Sequence, residues 1–287
     1  MVITRIVTPS RKDGRVDALT VRMQEAVLPP DGFVAVRVDL AIFDPEPHAG
    51  FEADTSPAVG FVGTVESAGR STGLTPGARV AGVGPLADMV FVRPEMLSAA
   101  TGDDHPVPED VLAILDASLR HALATIGIAP GERVAVSGQG LGARLAEGCA
   151  RALGGSVDLL SDKEPPRGGG SIRGKGQADE GVFDLLVDLS ADSTRWSQLL
   201  PRVRRNGRVL LLLPPGEQVR TFDFYPRVHK ASCTLRACRW PSIAGGRGSW
   251  RPQMSLADVP VMRIANAGVI PLPPTRTRAI VCQFVSP

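Results

Sequence analysis

The rhythm of apolar and polar positions changes partway along the chain. From Met1 to about Ala100 the apolar residues form short runs, alternating or continuously β-branched: the opening Met1–Val7, then Phe33–Val38, Phe61–Val65 and Met89–Val92. Pro29-Pro30-Asp31-Gly32 and Thr75-Pro76-Gly77 punctuate them. Alternation places successive side chains on opposite faces of a strand, and Pro/Gly clusters turn the chain, so this stretch predicts an all-β, barrel-like domain. From Pro108 to about Leu213 the pattern predicts a helix over Glu109–Ile126, strand Arg133–Ser137, helix Ala143–Leu153, strands Val157–Leu160 and Phe183–Asp188, helix Thr194–Val203 and strand Arg208–Leu213. Continuously apolar strands alternating with helices are buried on both faces, which points to a doubly wound parallel sheet. The expected fold class is α/β: a β-barrel followed by that sheet.

Between strand Arg133–Ser137 and the helical run that follows lies Gly138-Gln139-Gly140-Leu141-Gly142-Ala143. A G-x-G-x-x-G/A turn in this place tightens the backbone, admits a pyrophosphate and packs the helix on the sheet with its N-terminal amides facing the anion. The candidate cofactor-binding residues are therefore Gly138, Gly140, Leu141, Gly142 and Ala143. Asp162 follows the second strand, roughly 20 residues beyond Gly142, where an acid binds the adenosine ribose hydroxyls of NAD. Its neighbours Ser161, Lys163 and Arg167 suit the 2′-phosphate of NADP instead, and both cofactors stay open. Glu164–Gly181, rich in glycine and charge, stands where a third β-α unit is expected and reads as a mobile loop, with a basic phosphate clamp as the alternative.

Composition narrows the classes. A chain of 287 residues with 43% apolar and 22% charged residues is neither disordered nor fibrous. The apolar run Val209–Leu213 is far below the roughly 20 residues of a bilayer span, and the N-terminal pattern enters a strand without a leader-like segment, so a cytoplasmic chain with no membrane partner is expected. Of 32 basic residues only four are lysine, but the arginines are dispersed and matched by 30 acids, which argues against a nucleic-acid surface. Cys149, Cys233, Cys238 and Cys282 form no C-x-x-C pair and read as reduced structural thiols.

Three stretches together resemble the medium-chain dehydrogenase/reductase superfamily. Pro57–Gly69 followed by Pro76–Gly82 is similar to its barrel signature; Pro130–Val136 leads into the glycine turn, with Ala150 and Leu153-Gly154 at the family's spacing; and Asn206–Leu212 is similar to a strand entering the cofactor site. The resemblance covers nearly the whole chain. It implies a GroES-like catalytic domain over 1–107, a Rossmann domain over 108–249 and a C-terminal return to the catalytic domain over 250–287. It further implies an NAD(P)-dependent oxidoreductase moving a hydride to or from a small organic substrate, and a homodimer.

Departures from the family matter as much. Phe43 stands where zinc-dependent members place a thiolate ligand, Gly60 runs directly into Phe61 where they carry His-Glu, and the four-cysteine lobe is missing. With those donors lost, a catalytic zinc is not expected. Near the implied cleft, Asp44, Glu46 and His48 alternate along one face of an extended segment and could converge as acid, base or a non-standard metal site; Asp116 aligns roughly with a third ligand position, with His121 further along that helix, and Asp44, Glu46, His48 and Asp116 are the candidate catalytic residues. The alternative for the Pro-flanked segment is a solvated loop, and for Asp116 a helix-surface carboxylate. Tyr225 is a candidate proton donor or a packing residue, and Trp196, Trp240 and Trp250 read as packing residues or pocket walls. Asp258–Ile270 resembles the family's helix and strand, after which Pro271-Leu272-Pro273-Pro274 replaces a helix, before strand Ala279–Phe284. Among subgroups the chain is similar in character to short, zinc-lacking dehydrogenases of natural-product biosynthesis. Two other readings stand beside the oxidoreductase: a non-redox cyclisation or elimination using the acid/base residues, and a catalytically silent nucleotide-binding protein.

Overall fold

The computed structural model describes residues 2–12, 15–26, 31–44, 57–69, 72–100, 108–160, 181–190, 193–213, 228–229, 231–240, 261–265, 267–272 and 279–285. In chain order the elements are β1 (Val2–Lys12), β2 (Arg15–Ala26), β3 (Val34–Phe43), β4 (Ala58–Ala68), β5 (Arg79–Pro85), β6 (Met89–Val92), β7 (Leu97–Ala99), α1 (Pro108–Ile126), β8 (Arg133–Ser137), α2 (Gly140–Ala152) and β9 (Ser156–Leu160). They continue with β10 (Phe183–Asp188), α3 (Ser193–Leu199), β11 (Val203–Leu213), β12 (Thr234–Arg239), β13 (Val261–Ile264), β14 (Gly268–Pro271) and β15 (Ile280–Phe284). The chain divides into two compact units, Met1–Ser118 with Pro241–Pro287, and Leu119–Trp240.

The first unit is the barrel-like part. One sheet runs β13-β15-β3-β4-β5-β7 with β6 also on β3, and a smaller one runs β1-β2-β14. β3 is buried at every position but Arg37 and the half-buried Asp39, because it is a central strand with neighbours on both edges. Val36, Val38, Phe43, Phe61, Val65, Leu86 and Ile280 are among its core residues. Arg5 stitches distant segments together: its Nε donates to Asp88 Oδ2 at 2.6 Å and its Nη1 faces the carbonyls of Ile264, Ala265 and Val285 at 3.0, 2.7 and 2.7 Å. The guanidinium also lies 5.9 Å from the Phe284 ring centroid, so β1 is tied to the C-terminal strands by a charge with few routes to water.

The second unit is a five-stranded parallel sheet in the order β12-β11-β10-β8-β9. The chain leaves β8 for β9 on one side and returns to β10 on the other, so its topological switch point lies between β8 and β10. Apolar strands as continuous as Val134–Val136 and Val209–Leu212 require cover on both faces, and α2 and α3 supply helical cover. At the sheet's opposite end, Arg208 donates through Nη1 to the carbonyls of Ile126 (3.2 Å) and Gly127 (2.8 Å) and through Nη2 to Glu132. The last carbonyls of α1 thus gain a cationic partner. Burial pushes the Glu132 carboxyl up, but the Ala129 amide and the Arg208 guanidinium outweigh it and hold it below its usual 4.5. A depressed carboxyl stabilises the fold above its unfolded value, and that contribution is lost as pH falls through the folded value. Glu132→Gln is therefore expected to lower stability by about 1–3 kcal/mol near neutrality. Melting curves across acid pH should show the difference from wild type vanishing in acid; a gap that persists there would assign the effect to packing.

Several sequence expectations are corrected. The helix expected over Thr194–Val203 is α3 ending at Leu199 and a 3-10 turn over Leu200–Arg202, because Pro201 lacks an N–H and clashes with the preceding turn; Val203 already belongs to β11. β11 begins earlier than expected because Val203 already pairs with Phe183 of β10; the register then shifts across a stretch holding Asn206, in the left-handed region at φ 61°, before Arg208 resumes it. α2 begins at Gly140 and not Ala143, so much of the glycine turn is the first turn of the helix. Val261–Ile264, expected in a helix, is a strand parallel to β15. Of the glycine-rich segment expected to form a loop, residues 164–180 lie outside the described residues.

Candidate functional site

The carboxyl ends of β8, β9 and β10 converge at the switch point of the second unit, the place where open α/β sheets bind ligands. Ser137 ends β8, and the chain then turns through Gly138 at φ 143° and Gly140 at φ 73°, values that side-chain-bearing residues rarely adopt. The Gly138 amide points to Leu160 O at the end of β9 (3.4 Å), and the Leu189 amide donates to Ser137 O at 2.9 Å. Gln139 is the extended N-cap of α2 and its side chain makes no capping hydrogen bond. Ala143 is buried and leaves room for the close approach of helix and strand, its Cβ 3.7 Å from where a Cβ on Gly138 would stand. Leu141, buried, anchors the same turn. The five residues expected to form the phosphate turn are thus brought together at the N-terminus of α2.

Side chains from the neighbouring strands complete this edge. Asp188, at the end of β10, is 1% exposed and accepts hydrogen bonds from Trp196 Nε1, from Ser190 Oγ at 2.7 Å and from the Ser190 amide at 3.3 Å. Burial pushes its carboxyl up, and the bonds from Trp196, Ser190 and Ser137 pull against that. Arg195, from α3, crosses the strand ends: Nε donates to Ser137 Oγ at 2.8 Å and Nη2 to Leu160 O at 2.7 Å. Ser137 therefore links a guanidinium to a buried carboxylate, and a cation lies over the ends of β8 and β9. Trp240 reaches in from the far strands. Its amide donates to Leu213 O at 2.8 Å, while its ring carbons Cζ3 and Cη2 would stand 2.8 and 2.9 Å from a Cβ on Gly142.

Asp188, Ser190, Arg195 and Leu189 carried no motif. Their signal was position alone: a carboxylate ending an apolar parallel strand and polar residues just beyond it.

Asp162 and Lys163, the candidates for ribose or 2′-phosphate recognition, lie outside the described residues, as do Glu46, His48, Tyr225 and Trp250. Asp44 follows β3 and is partly exposed, while Asp116 is 3% exposed on α1, which corrects its reading as a surface carboxylate. Both belong to the first unit. There Val111 and Leu115 of α1 press on Gly60, whose ladder partner Ile42 precedes Asp44 by two positions. His121 is exposed. Phe43 and Phe61, expected from the sequence to stand where zinc-dependent members of the resembled family carry ligands, are buried in the barrel core at 2% and 0% exposure. Among the described residues no group of three or more His, Cys, Asp or Glu side chains is placed to hold a metal. Among them, too, no helix is long and apolar enough to cross a membrane. None of the four cysteines is in a disulfide, and burial pushes the Cys282 thiol up to about 12.

No protein-family model matches the sequence. No curated protein is significantly similar to it. Solved structures are similar in fold. The CurK enoyl reductase superposes with TM-score 0.63 at 12% identity, over 98% of this chain and 99% of that one. An NADP-bound candidate zinc-binding dehydrogenase from Sinorhizobium meliloti 1021 gives TM-score 0.58 at 16% identity over 99% and 100% of the two chains. The quinone oxidoreductase of Pseudomonas syringae pv. tomato DC3000 gives 0.59 at 19% over 83% and 81%. The chain therefore has the fold of the medium-chain dehydrogenase/reductase superfamily, a GroES-like barrel unit and a Rossmann unit.

Proposed function

We propose that the chain is an NAD(P)-dependent oxidoreductase that works on a small organic substrate without zinc. One observation carries the reading: Gly138, Gly140 and the N-terminus of α2 lie together at the switch point, with backbone angles that only glycine adopts readily. A helix N-terminus entered by a glycine turn, with no capping bond from the Gln139 side chain, suits a pyrophosphate, and the Arg195 guanidinium beside it suits the anionic adenosine half. A bound nicotinamide would supply hydride transfer; the residues of this chain bind and orient it. Apolar packing at Phe43, Phe61 and Gly60 supports the absence of zinc from the mechanism, since soft donors would be needed where aromatic rings and α1 now pack. The NADP-bound structural neighbour and the enoyl and quinone reductases of the same fold support a nicotinamide and an activated alkene or carbonyl substrate, here extended by analogy. Asp44, Glu46, His48 and Asp116 are the proposed acid/base residues, and Asp162 and Lys163 the proposed contacts to the adenosine ribose.

Fluorescence titration of the purified chain with NADPH and NADH tests this. One of the two is expected to bind at sub-millimolar concentration. Binding of neither would overturn the oxidoreductase reading. With a substrate in hand, Glu46→Gln, His48→Gln and Asp116→Asn should lower turnover while cofactor affinity persists; unchanged turnover in all three would remove them from the mechanism.

A further inference from the structure

Trp240 stands on the side of the crevice that a second nucleoside would need. The adenosine half of a dinucleotide belongs on the β9 side of a sheet of this topology, where the acid after the second strand meets its ribose, so the nicotinamide half belongs on the side of β10, β11 and β12. Trp240 follows β12, and its backbone is pinned to the end of β11 through Leu213 O. From there the indole extends across the end of β10 to the first turn of α2. Gly142 receives it: a Cβ there would meet the ring at 2.8 and 2.9 Å and Leu189 Cδ2 at 3.1 Å. Gly142 carries no left-handed backbone angle, so its lack of a side chain is explained by this contact and not by the turn. Only 6% of Trp240 is exposed, which leaves little ring face on which another ring could stack.

We infer that Trp240 determines which half of a dinucleotide the crevice admits: the indole fills the nicotinamide side beside Gly142 and must turn away for a whole dinucleotide, whereas ADP, bound on the β9 side, need not displace it. This rests on the crevice being a nucleotide site, as proposed above. Binding that requires a prior rearrangement is weakened by the fraction of molecules already rearranged, and removing the obstructing group removes that penalty.

The test compares wild type, Trp240→Ala and the smaller aromatic Trp240→Phe in calorimetric titrations with ADP, NADPH and NADH. ADP carries the adenosine and both phosphates and is expected to bind all three proteins alike. The dinucleotide that binds is expected to do so on the order of tenfold more tightly to Trp240→Ala than to wild type, with Trp240→Phe in between. Its binding should also shift the tryptophan emission of wild type, and that shift should be lost in Trp240→Phe. Dinucleotide affinity that falls in Trp240→Ala would make the indole a supporting wall, and affinity that stays level with ADP would make it irrelevant; either result overturns the inference and leaves the cofactor proposal standing. If no protein of the set binds ADP or either dinucleotide, both fail.

Discussion

Gly63→Ala will leave the barrel unit unable to reach its native packing, with a loss of about 3 kcal/mol or more. Gly63 sits in β4 opposite Val38, next to the irregularity where β3 slips past β4 between Val38 and Leu40. A Cβ at Gly63 would stand 2.2 Å from the carbonyl oxygen of Arg37 and 2.9 Å from its carbonyl carbon. Those atoms belong to the most buried strand of the sheet, so relief requires moving backbone hydrogen-bonded along the strand, not turning a side chain. Gly60, three residues earlier, differs in kind: its nearest neighbours are the Val111 and Leu115 side chains of α1 at 2.8 and 3.1 Å, which can partly give way. Chemical denaturation separates the two, with Gly63→Ala far below wild type and Gly60→Ala between them. Gly148→Ala is the control: nothing lies within 4 Å of a Cβ there, the position is inside α2, and a gain of about 0.5–1 kcal/mol is expected. A Gly63→Ala protein as stable as wild type would show that the two strands can separate at little cost.

That clash explains why the barrel motif was legible in the sequence at all. Gly63 and the glycine turn are places where the backbone leaves no room for a second solution, so a glycine at fixed spacing reports geometry directly. Strands such as Arg133–Ser137 and Phe183–Asp188 were legible to the residue because burial on both faces demands uninterrupted apolar runs. Where local and tertiary demands diverged, the sequence misled. Thr194–Val203 has a helical apolar pattern, yet one proline divides it and the remainder joins a strand. Val261–Ile264 reads as helix-compatible and is a strand because β15 offers it an edge. The contact between Trp240 and Gly142 was invisible for a further reason. It joins residues far apart in the chain, and it consists in the absence of a side chain on one partner. Arg195 and Asp188 were hidden similarly: nothing local tells a strand-ending aspartate that serves a binding edge from one that merely caps a turn.

Gly140→Val is expected to cost about a hundredfold in ADP affinity, or roughly 2.8 kcal/mol, while the protein still folds. Two effects combine at this residue. Its φ of 73° is left-handed, and a β-branched residue there is strained by about 1–2 kcal/mol unless the turn opens. The turn is also the first residue of α2, so opening it swings the leading amides off the axis on which they converge. A phosphate held by charge-assisted bonds of about 1.5–3 kcal/mol each loses one or two of them when that happens. Gly140 is itself buried, so part of the strain is borne by the fold and the melting temperature should drop by several degrees, short of unfolding the chain at ambient temperature. Gly140→Ala separates strain from bulk: it carries the backbone penalty without the branched side chain and should fall between Gly140→Val and wild type. Calorimetric titration with ADP beside a thermal melt reads both effects. ADP affinity unchanged in Gly140→Val would place the nucleotide away from this turn and remove the observation on which the proposed cofactor site stands.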